Sequence, residues 1–272
     1  MTLRRERARS SARQRCAMKA APRSTTRGQG SACARAGALG LAALVLALLP
    51  LAGARAGKLG GPYFVEEAEI GPVGSCETEQ WASSARNGDH IYVFSPACVV
   101  RLGAPVEVGT NLVNFRSDGV IDATASLTTK TVPIPLPGGG RPGLGLALSG
   151  AFVWDMTSNS LNSMIINVPL SYDFSETLRL NVNVGAQYNA DPSLLIATAG
   201  LGVSWNFANQ WSVISEVFAF MAPGLTNPRF QTGLRYNPIK AVDCDFIYGR
   251  NLTGEGANWF TVALTVRIGD TD

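Results

Sequence analysis

The sequence predicts an all-β protein: an antiparallel transmembrane β-barrel of about twelve strands, placed after a cleaved signal peptide. Three observations carry this. Between residues 144 and 268, segments of about ten residues alternate strictly between apolar and polar side chains. Aromatic residues collect at the ends of those segments, and the N-terminus has the form of a secretory signal.

The first 36 residues hold nine Arg, one Lys and one Glu, followed by an apolar run from Gly37 to Leu49 that ends at Pro50. Ala54-Arg55-Ala56 supplies the small-x-small pattern read by a signal peptidase. The run of about 13 apolar residues is shorter than the ~20 a membrane helix needs, so residues 1–56 read as a basic extension and signal peptide. Removing them reverses the charge. Of 23 basic and 20 acidic residues, 11 and 1 lie in this segment, which leaves 12 basic against 19 acidic in residues 57–272. No basic patch remains for phosphates, so nucleic acid is not an expected partner.

Residues 57–75, rich in Gly and Pro and carrying Glu66, Glu67 and Glu69, read as an extended periplasmic leader. The barrel is expected over 76–268, with strands at 76–86, 90–102, 105–116, 120–131, 143–155, 163–174, 178–189, 194–207, 211–221, 229–236, 242–249 and 258–268, and a tail at 269–272. Asn87-Gly88 marks the first hairpin turn and sets Cys76 opposite residue 98 or 99, so Cys76 and Cys98 can form a disulfide in an oxidising compartment. A slip of one residue would send the two thiols to opposite faces. Cys244 has no partner at a metal-binding spacing.

The clearest strand is Leu178 to Tyr188. Leu178, Leu180, Val182, Val184, Ala186 and Tyr188 share one face, whereas Arg179, Asn181, Asn183, Gly185 and Gln187 share the other. A charge placed at Val182 would therefore meet lipid, and one at Asn183 the lumen. Running the strands alternately up and down puts Trp154, Tyr188, Phe230, Tyr248 and Phe260 near one rim. It puts Tyr172, Phe174, Trp205, Phe207, Trp211 and Tyr236 near the other. An even strand count brings both termini to one side, where turns such as 175–177 and 208–210 are short. The opposite side carries the longer loops 156–162, 222–228 and 250–257. The connection 133–142 is the exception, being long on the side of the termini. No loop is long enough to plug the lumen.

Polar parity places Glu216, Arg235, Asp243, Asp245 and Arg267 inward on the last four strands, with Arg179 a few strands away. Charges so placed need partners, and a single lumenal network that braces the wall or orients a passing solute is expected. Gly103, Gly109, Gly145, Gly185, Gly200, Gly202 and Gly233, inside or beside strands, would relieve crowding inside a narrow barrel and permit its coiling. Enzymatic chemistry has little support. The mature chain has one histidine, His90 beside the first turn, and Asp122 and Asp155 stand alone, so no catalytic pair, cofactor or metal is expected.

Several stretches carry a resemblance: Pro62 to Glu67, Ser171 to Leu180, Glu216-Val217-Phe218, Pro228 to Tyr236, Tyr248 to Gly254 and Asn258 to Val262. Together they resemble the outer-membrane transporter family named for the meta-pathway of phenol degradation. The resemblance implies an outer-membrane barrel, in some members associated with uptake of aromatic compounds. The chain departs from that pattern by ending its last strand on Leu264, Val266 and Ile268 rather than on a terminal aromatic.

The expected function is thus a channel or transporter for a small, aromatic or hydrophobic solute in the outer membrane of a Gram-negative-type bacterium. Its expected partners are outer-membrane lipid, the barrel-assembly machinery and the solute. Two alternatives remain open at this point, a structural barrel without transport and a soluble periplasmic β-sandwich that binds a ligand.

Overall fold

Strand boundaries follow the alternation and the turn chemistry. In the computed structural model, which describes residues 58–139, 141–253 and 257–269, the strands are Cys76–Ala85 (β1), His90–Leu102 (β2), Ala104–Ser117 (β3), Val120–Ile134 (β4), Gly143–Asp155 (β5), Ser160–Asp173 (β6), Leu178–Asn189 (β7), Leu194–Ala208 (β8), Trp211–Ala222 (β9), Leu225–Ile239 (β10), Val242–Asn251 (β11) and Asn258–Ile268 (β12). Each pairs antiparallel with its chain neighbours, and β1 pairs with β12 from Cys76 opposite Ile268 to Ala85 opposite Trp259. The sheet is a closed barrel. Closure removes both sheet edges, the condition for a sheet to stand in lipid. The signal peptide expected at 1–56 lies outside the described residues.

The alternation sorts as expected. On β7, Val184 on the outer face is 55% exposed while the adjacent Asn183 is 2% exposed. Lumenal polar residues are buried and lipid-parity apolar ones are open, the reverse of a soluble protein. Both aromatic girdles are present, and in the rim nearer the termini Tyr172 meets Phe174, Trp205 meets Phe207 and Trp211 meets Tyr236, at ring distances of 4.9, 5.7 and 4.5 Å.

Three expectations are corrected. The loop asymmetry is smaller than the sequence suggests, because hairpins keep pairing beyond the expected strand ends. Leu225 pairs with Ala222 across Pro223-Gly224, where Gly224 supplies a φ of 76°, and β6 already begins at Ser160. Second, β4 runs through Pro133 to Ile134, with an irregularity between Thr131 and Ile134 that leaves Pro133 outside the regular register with β5.

The third correction matters most. The segment 58–75 does not hang outside the barrel as a periplasmic leader: residues 58–71 line the lumen, and exposed residues 72–74 join them to β1 at the rim. Tyr63, Val65, Glu66, Glu67 and Ala68 are all 1% exposed. A twelve-stranded wall leaves a bore too wide for its own side chains to fill, and here the leader occupies it. The sequence offers no long loop for that purpose, but the residues that precede β1 reach in from its rim.

Candidate functional site

The lumen is built by inward side chains of all strands meeting this leader. Lys58 begins the path, donating to Ser95 O at 2.9 Å and pairing with Glu77 at 3.2 Å. Trp81 Nε1 donates to Gly60 O at 3.0 Å, and Gln231 Nε2 holds Pro62 O at 2.8 Å. Tyr63 then donates its hydroxyl to Asp245 at 3.1 Å with the Arg235 guanidinium 5.5 Å from its ring centre.

The next residues need backbone partners, since an extended segment inside a bore has no neighbouring strand to satisfy it. Glu216 provides two, accepting from Phe64 N at 2.7 Å and Val65 N at 3.0 Å, while Gln231 donates to it at 2.9 Å. Asn183, with its amide oriented as the network requires, accepts from Glu66 N at 2.7 Å and donates to Glu66 O at 2.9 Å. Ser171 accepts from Ala68 N at 2.8 Å. The inward polar residues thus form hydrogen bonds that, in a soluble sheet, another strand would make.

The leader's acids meet the wall's bases. Glu66 accepts from Ser149 at 2.9 Å and Asn167 at 2.6 Å, with Lys130 at 3.6 Å. Arg179 takes Glu67 at 2.7 Å, Glu69 at 2.9 Å and Asp173 at 2.6 Å. Glycines give the leader room: a Cβ on Gly200 would stand 2.7 Å from Val65 Cγ2, and one on Gly233 would collide with the Tyr63 hydroxyl. These glycines serve packing against the leader, a more specific role than general relief of crowding.

The expected single network divides into three parts. Arg235 forms a two-point bond to Asp245 at 2.7 and 3.0 Å and reaches Asp243 at 3.5 Å; Arg267 binds Asp243 at 2.5 and 3.0 Å, and Asn237 also donates to Asp243. Glu216 does not join them. It serves the leader backbone, and Arg179 serves the leader carboxylates. Sequence reasoning missed Tyr63, Glu66 and Glu67 as lumenal residues. The available signal was a cluster of acids on a short leader beside a barrel whose Arg179 lacked an inward partner among the last four strands.

Cys76 lies directly opposite Cys98 and the two are joined as a disulfide on the outer face of the first hairpin. Cys244 is a free thiol. His90 stands exposed at the start of β2, opposite Ser84. Among the described residues no group of three His, Cys, Asp or Glu could hold a metal ion.

The leader lies between two lumenal spaces and lines both. On the side of the termini is a charged space of about 40 Å³, bounded by groups that include Glu79, Glu107, Lys130 and Arg267. That volume has room for about one or two waters. On the loop side is a vestibule of about 670 Å³ reaching the rim at Asn87, Asp89 and Asn251, with Phe64, Trp81, Phe218, Phe220 and Trp259 among its walls. A space of that size suits a small organic molecule.

A closed antiparallel barrel with an apolar outer band, two aromatic girdles and a polar lumen defines the class of outer-membrane porin folds. Among solved structures the chain is similar to the NanC porin, with a TM-score of 0.55 and 7% identity, covering 70% of this chain and 98% of that one. It is similarly related to the KdgM porin, at a TM-score of 0.53, 7% identity, and the same two coverages. The chain belongs to the family described as uncharacterised conserved protein UCP029691, whose model matches residues 45–268. No curated protein matches it significantly.

Proposed function

We propose that this protein is an outer-membrane barrel that admits a small solute at its loop-side rim and passes it through a lumen narrowed by its own leader. The observation that carries the reading is the vestibule of about 670 Å³, open to the rim and floored by residues 58–64 and Glu66. A porin fold without such a space would have nowhere to receive a solute. The leader makes the remaining passage tight, which favours small solutes over bulk diffusion. The entry of the leader into β1 at the rim of Cys76 and Ile268 fits a periplasmic orientation of that rim, with the loop rim facing outward. The motif resemblance to the meta-pathway family supports a small aromatic or hydrophobic cargo.

The structural-barrel alternative also has an observation in its favour, the buried ion pairs that tie the leader to the wall. Planar bilayers decide between them. The mature protein, recovered from outer membranes and migrating with the heat-modifiable mobility of a folded barrel, is expected to show discrete conductance steps. A folded barrel that never conducts leaves the structural reading, and recovery from the soluble periplasm overturns the location itself.

A further inference from the structure

Arg229 is the odd member among the inward arginines. Arg179, Arg235 and Arg267 each hold at least two carboxylates. Arg229 shares their parity on β10, two residues from the inward Gln231, and lines the vestibule. No carboxylate lies within ion-pair distance of it among the described residues, and its buried Nε has no hydrogen-bond partner. Its guanidinium instead lies 5.2 Å from the centre of the Phe220 ring, and Phe220 meets Phe64 edge-on at 4.8 Å. Phe64 in turn stacks on Phe218 at 4.5 Å.

A half-buried guanidinium with an unsatisfied donor beside an apolar wall is costly unless something completes it. The other inward arginines also bury a donor without a hydrogen bond, Arg235 Nη1 and Arg267 Nε, but each of these has a carboxylate of the chain within 4 Å. Here the groups that Arg229 meets are aromatic, Phe220 under the guanidinium with Phe64 and Phe218 behind it, while Glu66 and Asp89, which line the same space, are not within ion-pair distance of it. A flat apolar body would find ring faces and edges to pack on, while an anionic group on the same molecule would find the planar fork of an arginine.

We infer that the vestibule is a binding site for a small aromatic carboxylate, with Arg229 receiving the carboxylate and the Phe64–Phe218–Phe220 cluster receiving the ring. The inference deepens the channel reading by naming the class of solute, and it concerns binding, which can be measured without conduction. A neutral aromatic would lose the charge-assisted bond, and a carboxylate without a ring would lose the stacking surface.

Isothermal titration of the folded, detergent-solubilised mature chain provides the test, with sodium benzoate, benzyl alcohol and sodium acetate as probes. Benzoate is expected to bind at one site per chain, with the other two weaker by roughly tenfold or more. Arg229→Gln is expected to bring benzoate down to the level of benzyl alcohol, leaving benzyl alcohol itself unchanged; Arg229→Lys should retain part of the preference. Benzoate that fails to bind, or that binds no better than benzyl alcohol, overturns the proposal on the unaltered protein. An unchanged benzoate affinity in a folded Arg229→Gln barrel overturns the role of Arg229. A barrel that conducts yet shows no preference for benzoate sinks only this inference; one that binds benzoate yet never conducts sinks only the channel reading.

Discussion

At the scale of single residues, side-chain parity tells which face a position occupies but not what it touches there. Val182 faces outward on β7, so Val182→Arg is expected to destabilise the barrel by about 2–4 kcal/mol in lipid, measured by equilibrium denaturation. Parity alone suggests that the neighbouring Asn183→Arg would be tolerated in a watery lumen. The structure reverses that expectation, because the Asn183 amide holds the backbone of Glu66 and is 2% exposed. The larger cation would displace the leader, and the variant should lose stability comparably. Arg235 follows the same logic. An open acidic ring selecting cations is what its removal would leave in a wide pore, but Arg235 is 2% exposed and paired with Asp245 and Asp243. Arg235→Ala is therefore expected to cost about 3–5 kcal/mol, as does breaking a buried ion pair, and to loosen Tyr63 before it alters ion preference.

At the scale of elements, the first hairpin and the leader behave differently. The hairpin is set locally: Asn87-Gly88 makes the turn, and the register that follows puts Cys76 against Cys98. With a sequence separation of 22, the bond is worth about 3 kcal/mol by constraining the unfolded chain. Maleimide labelling of the denatured mature protein should count one thiol before reduction, Cys244, and three after it. The leader depends instead on distant partners. Glu216→Ala removes the acceptor of both Phe64 N–H and Val65 N–H, groups then buried without a partner. The segment should loosen while the wall persists. A cysteine introduced at Leu59 and labelled from the aqueous phase is expected to react faster in the Glu216→Ala background than in the parent, and equal rates would show that Glu216 does not anchor the leader.

At the scale of the whole molecule, the wall and its filling are separable. Ladder hydrogen bonds close the barrel through β1 and β12 and do not involve residues 58–70. Deleting those residues from the mature chain should thus leave a heat-modifiable barrel with a conductance several-fold above that of the parent. A deletion variant that conducts no better would mean that the constriction lies in the wall. The charged space beside Arg267 and the vestibule beside Arg229 would merge in such a variant, so any solute preference set by the vestibule should weaken with it.

The sequence by itself determined the wall. Its period of two, its turn residues and its aromatic strand ends are local properties, and all twelve strands were legible from them, with ends displaced by four residues at most because a hairpin can go on pairing past the apolar band. The inward charges at Arg179, Glu216, Arg235, Asp243, Asp245 and Arg267 were legible for the same reason. Only the tertiary structure decided their partners. Whether Glu216 bonds an arginine or a backbone, and whether residues 58–71 stand outside the barrel or inside it, depends on which groups converge across a closed lumen from far apart in the chain. Alternation along one strand carries no information about what lies across the bore. The leader shows the consequence: its short, acidic and glycine-rich sequence has no strand period of its own, and it acquires a fixed path only where Arg179, Asn183, Glu216 and Asp245 satisfy it together.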